Sequence, residues 1–138
     1  MKPLTPQDLI ELIPPEPATV DAALRKFEFT APALCREPGY CRELFDEGFI
    51  TPAQINWGER PAFFFGWRLT TDRGLWVDVA QTLSGGAPIE VLVNGVFAIA
   101  DQKGARYVRF LTMRRGLVKV AQQHGFRAEA VLMVKTPQ

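Results

Sequence analysis

The sequence predicts one α/β domain built on a mixed sheet, and three features carry that expectation. Residues 62–70 and 75–80 read as two strands joined by a tight turn. Residues 74–103 read as strand, turn and helix in succession. From there to the end the pattern is strand, helix, strand. Helices therefore come first, then an antiparallel hairpin, then strand–helix–strand–helix–strand. Strands joined through a helix run parallel, so the sheet contains both orientations.

Each element has a local reason. Residues 5–13 are expected to form a short helix, with Thr5 as cap, Pro6 at the first position and Asp8 completing a capping pair. Pro14, Pro15 and Pro17 then force an extended linker. Residues 1–17 are accordingly read as an arm and residues 18–138 as the domain. A second helix is expected over residues 18–27, with Val20, Ala23, Leu24 and Phe27 on one face. Residues 29–35 read as extended or irregular around Pro32. A third helix covers residues 40–47 and is stopped by Gly48. A short fourth starts at Thr51, with Pro52 first and Gln54 three residues after the cap. Residues 36–59 thus read as small helices and turns lying over the sheet.

Residues 62–70 are rich in aromatics and contain Gly66, which marks a candidate bulge. Residues 71–74 make the hairpin turn. In the next strand Leu75, Val77 and Val79 alternate with Trp76, Asp78 and Ala80. Ile89, Leu92, Val93, Val96, Phe97 and Ala100 recur at helical spacing, and Gly104 stops that helix in a left-handed conformation. Residues 106–112 form a strand. Residues 114–124 form a helix with Leu117, Val118 and Ala121 inward, closed by Gly125. Residues 126–135 form the last strand.

Composition narrows the partners. Sixteen basic and fifteen acidic residues leave a net charge of +1, so no general nucleic-acid or membrane surface is expected. No apolar run approaches the roughly 20 residues that cross a bilayer. One histidine and two cysteines exclude a Cys/His zinc site, and no metal is expected. Cys35 and Cys41 would close only a short loop. With no signal-peptide pattern at the start, the expectation is reduced thiols and a cytoplasmic setting. Whether the two cysteines pair stays open.

The functional hint lies at residues 81–86. Two glycines let the backbone approach a ligand closely, and the following helix aims its unpaired N–H groups at that spot, which suits a phosphate or pyrophosphate. The same glycines also serve simply to turn the chain from sheet to helix. Aromatic and polar residues between Tyr40 and Glu59 fit either a cleft or a solvated surface.

With those residues in place, the chain resembles the GCN5-related N-acetyltransferase superfamily, over about residues 62–136. That superfamily carries, after its central strand, Gln or Arg, two residues, Gly, one residue, then Gly or Ala. Gln81-Thr82-Leu83-Ser84-Gly85-Gly86 follows it, with Ser84 in place of the first glycine. Gly125-Phe126 opening the last strand after a helix also follows the family order.

The resemblance implies acetyl-CoA or another acyl-CoA between two splayed strands. Backbone groups of Gln81, Leu83, Ser84, Gly85, Gly86 and Ala87 would hold the pyrophosphate. Backbone near Val79 or Ala80 would polarise the acyl carbonyl; Arg114, Arg115 and Arg109 fit the 3′-phosphate of CoA, an acidic partner or simply a solvated surface. Asp78 is the candidate base by position, and Tyr107 and Cys41 are candidate replacements for an acid or nucleophile. The family's usual tyrosine and asparagine positions hold Ala121 and Arg114 here.

Two functions follow from different classes. One is an N-acetyltransferase acting on an amine of a small molecule or protein. The other is an inactive member of the fold acting as a binding or structural piece, such as a bacteriophage virion component. The arm at residues 1–17 would then mediate a homo-oligomer, a larger assembly or a protein partner, and Phe63, Phe65 and Trp67 would offer a sheet face.

Overall fold

The computed structural model describes residues 10–30, 40–111 and 115–129. Its five strands form one sheet in the order β1 (Ile10–Ile13), β2 (Thr51–Trp57), β3 (Arg60–Leu69), β4 (Leu75–Thr82) and β5 (Val108–Phe110). The first three pairings and strand directions are antiparallel, and β4–β5 is parallel, so the sheet is mixed as expected. The helices are α1 (Pro17–Thr30), α2 (Tyr40–Asp46), α3 (Ile89–Gln102) and α4 (Arg115–Gln123).

The two faces of the sheet carry two cores. On one, Val20, Ala23, Leu24 and Phe27 of α1 pack with Phe64 and Val79, joined by Phe45 of α2 and by Leu83. On the other, Val91, Val96 and Ala100 of α3 pack with Ala53, Ile55, Phe63, Phe65, Leu75 and Val77. The α1 face matches the expected residues. The buried line of α3 is Val91, Gly95, Val96 and Ala100, whereas Phe97 is exposed. Phe63 and Phe65 are buried beneath α3, so they offer no open sheet face.

Three expected elements differ. Ile10–Ile13 is an edge strand, not the end of a helix, pairing with residues 54–57 of β2. Pro14 disfavours the helical region at Ile13, and two isoleucines suit a pleated edge. Thr51–Trp57 is also a strand rather than a capped helix. Ala53 and Ile55 bury at period two against α3, which outweighs the capping pattern. Pro52 is tolerated because β1 reaches only to Gln54, leaving a neighbour on one side. Third, Phe29 and Thr30 belong to α1.

α2 ends at Gly48, with φ +75°, where Gly48 and Phe49 N–H groups return to Phe45 and Leu44. α4 closes at Gly125 as expected, but Val118 is exposed and only Ala121 is buried. Residues 126–129 adopt no regular strand, and the rest of that expected element lies outside the described residues. Phe126 nonetheless packs edge-on against Phe110, with ring centroids 5.2 Å apart.

The hairpin between β3 and β4 is locked by Tyr107. Its hydroxyl donates to Asp72 and lies 3.2 Å from Thr70 Oγ1, while its ring covers Gly74. Hydrogen bonds from Thr70 and then Tyr107 hold the Asp72 carboxyl below its ordinary range. Stability from that contact is present above the unfolded-state pKa and is lost as pH falls through the folded one. A Cβ at Gly74 would overlap the Tyr107 ring. Gly74→Ala is therefore expected to expel the ring and destabilise the fold by about 1–3 kcal/mol, read by chemical denaturation.

Candidate functional site

The site follows from a break in strand pairing. β5 runs beside β4 only at Leu75, Trp76 and Val77. Beyond Val77, β4 continues to Thr82 against β3 alone, with no strand on its other side among the described residues. The sheet opens where the two parallel strands part company.

A bulge lies at the same place. Gly66 sits opposite Val79 and Trp67 opposite Val77, so Asp78 has no counterpart in β3. The extra residue is in β4, across from the glycine that marked a bulge in the sequence. It also switches the strand's faces: Leu75 and Val77 belong to the α3 core, but Val79 belongs to the α1 core. Gly66 permits this because Phe45 and Ile50 press against it, leaving no room for a side chain.

Asp78 is half-buried at the bulge. Its Oδ1 accepts a hydrogen bond from Arg68 Nε at 3.3 Å. Its Oδ2 is buried and lies 3.2 Å from the same nitrogen, without hydrogen-bond geometry. Burial pushes the carboxyl above its ordinary range, and the charge and hydrogen bond of Arg68 pull against that. A carboxylate raised in this way is suited to taking up a proton.

Beyond Thr82 the chain turns into α3. Leu83 N–H donates to Ala62 O at 2.8 Å, and Ser84 Oγ donates to Pro61 O. Of the residues expected to form a cradle, Leu83 has its N–H engaged within the fold and Gln81 is buried in the strand. Gly85, Gly86 and Ala87 keep N–H groups with no hydrogen-bond acceptor among the described residues. Gly86 has φ +94°, and a Cβ on Gly85 or Gly86 would meet nothing within 4 Å. Ser84 has no positive φ, so a side chain there costs the turn nothing. Pro88 caps α3 without a side-chain hydrogen bond, leaving the first-turn N–H groups of Ile89 and Glu90 unpaired within the helix.

The remaining candidates are dispersed. Tyr107 is held just before β5, beside Leu75, about 23 Å along β4 from Thr82, where the strand gives way to the glycine turn. Arg109 stacks over Tyr107 and makes two hydrogen bonds to Glu129. His124 Nε2 is 3.7 Å from Glu90 Oε1, joining the end of α4 to the start of α3. Arg114 and Cys35 lie outside the described residues. Arg68 was not among the sequence candidates. The alternation of Arg68 with its neighbours hinted at an outward face, but its pairing with Asp78 required the register. Among the described residues, no helix is long and apolar enough to cross a membrane.

No protein-family model matches the sequence, and no curated protein matches it either. Solved structures do. A GCN5-related N-acetyltransferase from Ralstonia eutropha JMP134 superposes with a TM-score of 0.61 at 12% identity, over 93% of this chain and 98% of that one. AAC(6')-Iy, solved with the bisubstrate analog CoA-S-monomethyl-acetylneamine, gives 0.59 at 13% identity, over 94% and 99%. A transcriptional regulator from Bacillus halodurans C-125 gives 0.62 at 14% identity, over 92% and 99%. Identities this low speak to architecture, while the similarity runs nearly end to end in both chains. Together with the mixed sheet, the parting of β4 from β5 and the glycine turn into α3, they show that this chain has the fold of the GCN5-related N-acetyltransferases.

Proposed function

We propose that this protein binds an acyl-CoA, with acetyl-CoA the first choice, and transfers the acyl group to an amine. The observation that carries the reading is the coincidence of three features on one strand. β4 loses its β5 neighbour at Asp78, carries a half-buried carboxylate there, and runs directly into a turn with free backbone donors.

The residues present suit the group. Gly85, Gly86 and Ala87 offer N–H groups over open space, at the positive end of α3, where a pyrophosphate is favoured without any charged side chain. When bound, the thioester supplies an activated acyl carbon. Backbone N–H groups near Val79 and Ala80, on the unpaired side of β4, would polarise its carbonyl. Asp78 would take the proton from the incoming amine, and the shared surface would hold the two reactants together. One of the similar structures contains a CoA-based bisubstrate analog, which supports an amine as acceptor.

Isothermal titration with acetyl-CoA and CoA tests the reading directly. The native chain is expected to bind with a Kd on the order of micromolar. Gly86→Trp puts a large side chain on a residue at φ +94° and is expected to weaken binding by at least roughly tenfold. Absence of binding by the native chain at millimolar ligand would sink the proposal.

A further inference from the structure

Arg68 stands out because its guanidinium is confined. In the β3–β4 register it lies opposite Trp76, two residues before the bulge. Its guanidinium carbon is 5.4 Å from the centre of the Trp76 ring and 5.7 Å from the centre of the Phe49 ring. Phe49 follows the end of α2 and is otherwise exposed. Guanidinium groups are weakly hydrated and stack on aromatic faces, so two rings hold the charge where it is. Its Nε reaches both oxygens of Asp78 at 3.2–3.3 Å. With side-chain exposures of 29% and 20%, the pair is screened less than an open surface pair.

Two influences on Asp78 compete. Burial favours the neutral acid, and an adjacent cation favours the carboxylate. Several other described charges on the neighbouring elements have partners of their own. On α1, Lys26 reaches Thr82 O and Asp21 pairs with Arg42 of α2, while Asp46 accepts from the same Arg42. On β5, Arg109 is turned to Glu129. Arg68 is the cation in contact with Asp78 among the described residues.

We propose that Arg68 is a positioning residue that acts through Asp78: held by Phe49 and Trp76, it keeps that carboxylate ionised for proton uptake. This rests on the acyl-transfer reading for its consequence, but the coupling itself does not depend on it. If Arg68 is neutralised, burial acts alone and Asp78 holds its proton to higher pH. A base that is protonated cannot accept the amine's proton, so activity is lost from the acid side first.

The test is a carbon-13 NMR titration of the Asp78 carboxyl in the full chain, assigned by its disappearance in Asp78→Asn. Arg68→Met, Arg68→Lys and Phe49→Ala are compared with the native protein, with no acyl-CoA or acceptor present. The Asp78 midpoint is expected to move to higher pH in Arg68→Met and to stay nearer the native value in Arg68→Lys. Phe49→Ala, which keeps the charge but opens the clamp, is expected to fall between them. In turnover assays the acid limb of kcat/KM should move in the same order. Arg68→Met should be roughly tenfold less active than native at the acid end and close to native on the alkaline plateau.

An unchanged or lowered midpoint in Arg68→Met overturns the proposal. So does a loss of activity by one factor at every pH, which is the mark of a purely structural role. If Arg68→Met fails to fold, Arg68→Lys and Phe49→Ala read the same coupling. A shifted midpoint in a protein that transfers no acyl group would retain the Arg68–Asp78 coupling and reject the acyl-transfer reading alone.

Discussion

Asp78→Asn is expected to lower kcat by about 10²–10⁴-fold while leaving the Kd for acetyl-CoA within about twofold. Asparagine keeps the size of the side chain and can still accept from Arg68, so the bulge and its packing survive. What it removes is the ability to take a proton. The glycine turn that would hold the pyrophosphate lies several residues further along the strand and is untouched. Because burial raises the Asp78 carboxyl, activity should fall with decreasing pH earlier than it would for an exposed aspartate. Thiol release with a panel of amines, measured across pH for both proteins, gives both results. Equal turnover by the native chain and Asp78→Asn would remove Asp78 from the mechanism.

Phe64→Ala is expected to cost about 3–5 kcal/mol, a large share of the stability of a domain this size. Phe64 has no exposed surface and sits in the centre of β3, between Gln54 and Gln81. It is the large residue through which the sheet meets Val20, Ala23, Leu24 and Phe27 of α1. Its ring also lies 5.8 Å from that of Phe45, which presses on Gly66 opposite the bulge. Truncation leaves a cavity under α1 that the flanking strands prevent from collapsing. Phe64→Leu, closer in volume, should cost less than about 1.5 kcal/mol. Urea denaturation of the three proteins checks the order. A Phe64→Ala protein within 1 kcal/mol of native would mean that this face contributes little to stability.

How much was legible in the residues varies along the chain. Elements with strong periodicity were read from local pattern: α1 by Val20, Ala23, Leu24 and Phe27, and the β3–β4 hairpin by its aromatics and turn. The glycine stops at Gly48, Gly104 and Gly125 were also legible, because only glycine takes a positive φ cheaply. Ile10–Ile13 and Thr51–Trp57 were misread as helical because both carry capping patterns, and a cap is worth only about 1 kcal/mol. Burying Ala53 and Ile55 under α3, and pairing Ile10–Ile13 with the edge of β2, outweighs it.

The candidate site divides in the same way. By itself the sequence determined the fold class, the order of strand, glycine turn and helix, and Asp78 on the strand that precedes that turn. Those depend on neighbours in the chain. Only the tertiary structure decided that β4 outruns β5, that Asp78 is the extra residue of a bulge, and that Arg68, Phe49 and Trp76 gather around it. The contacts of Tyr107 with Asp72 and Gly74 in the hairpin likewise come from the tertiary structure. A register is a choice among pairings made by whole faces packing at once, and a one-residue bulge reverses which face each later side chain joins, so no local reading of β4 could supply it.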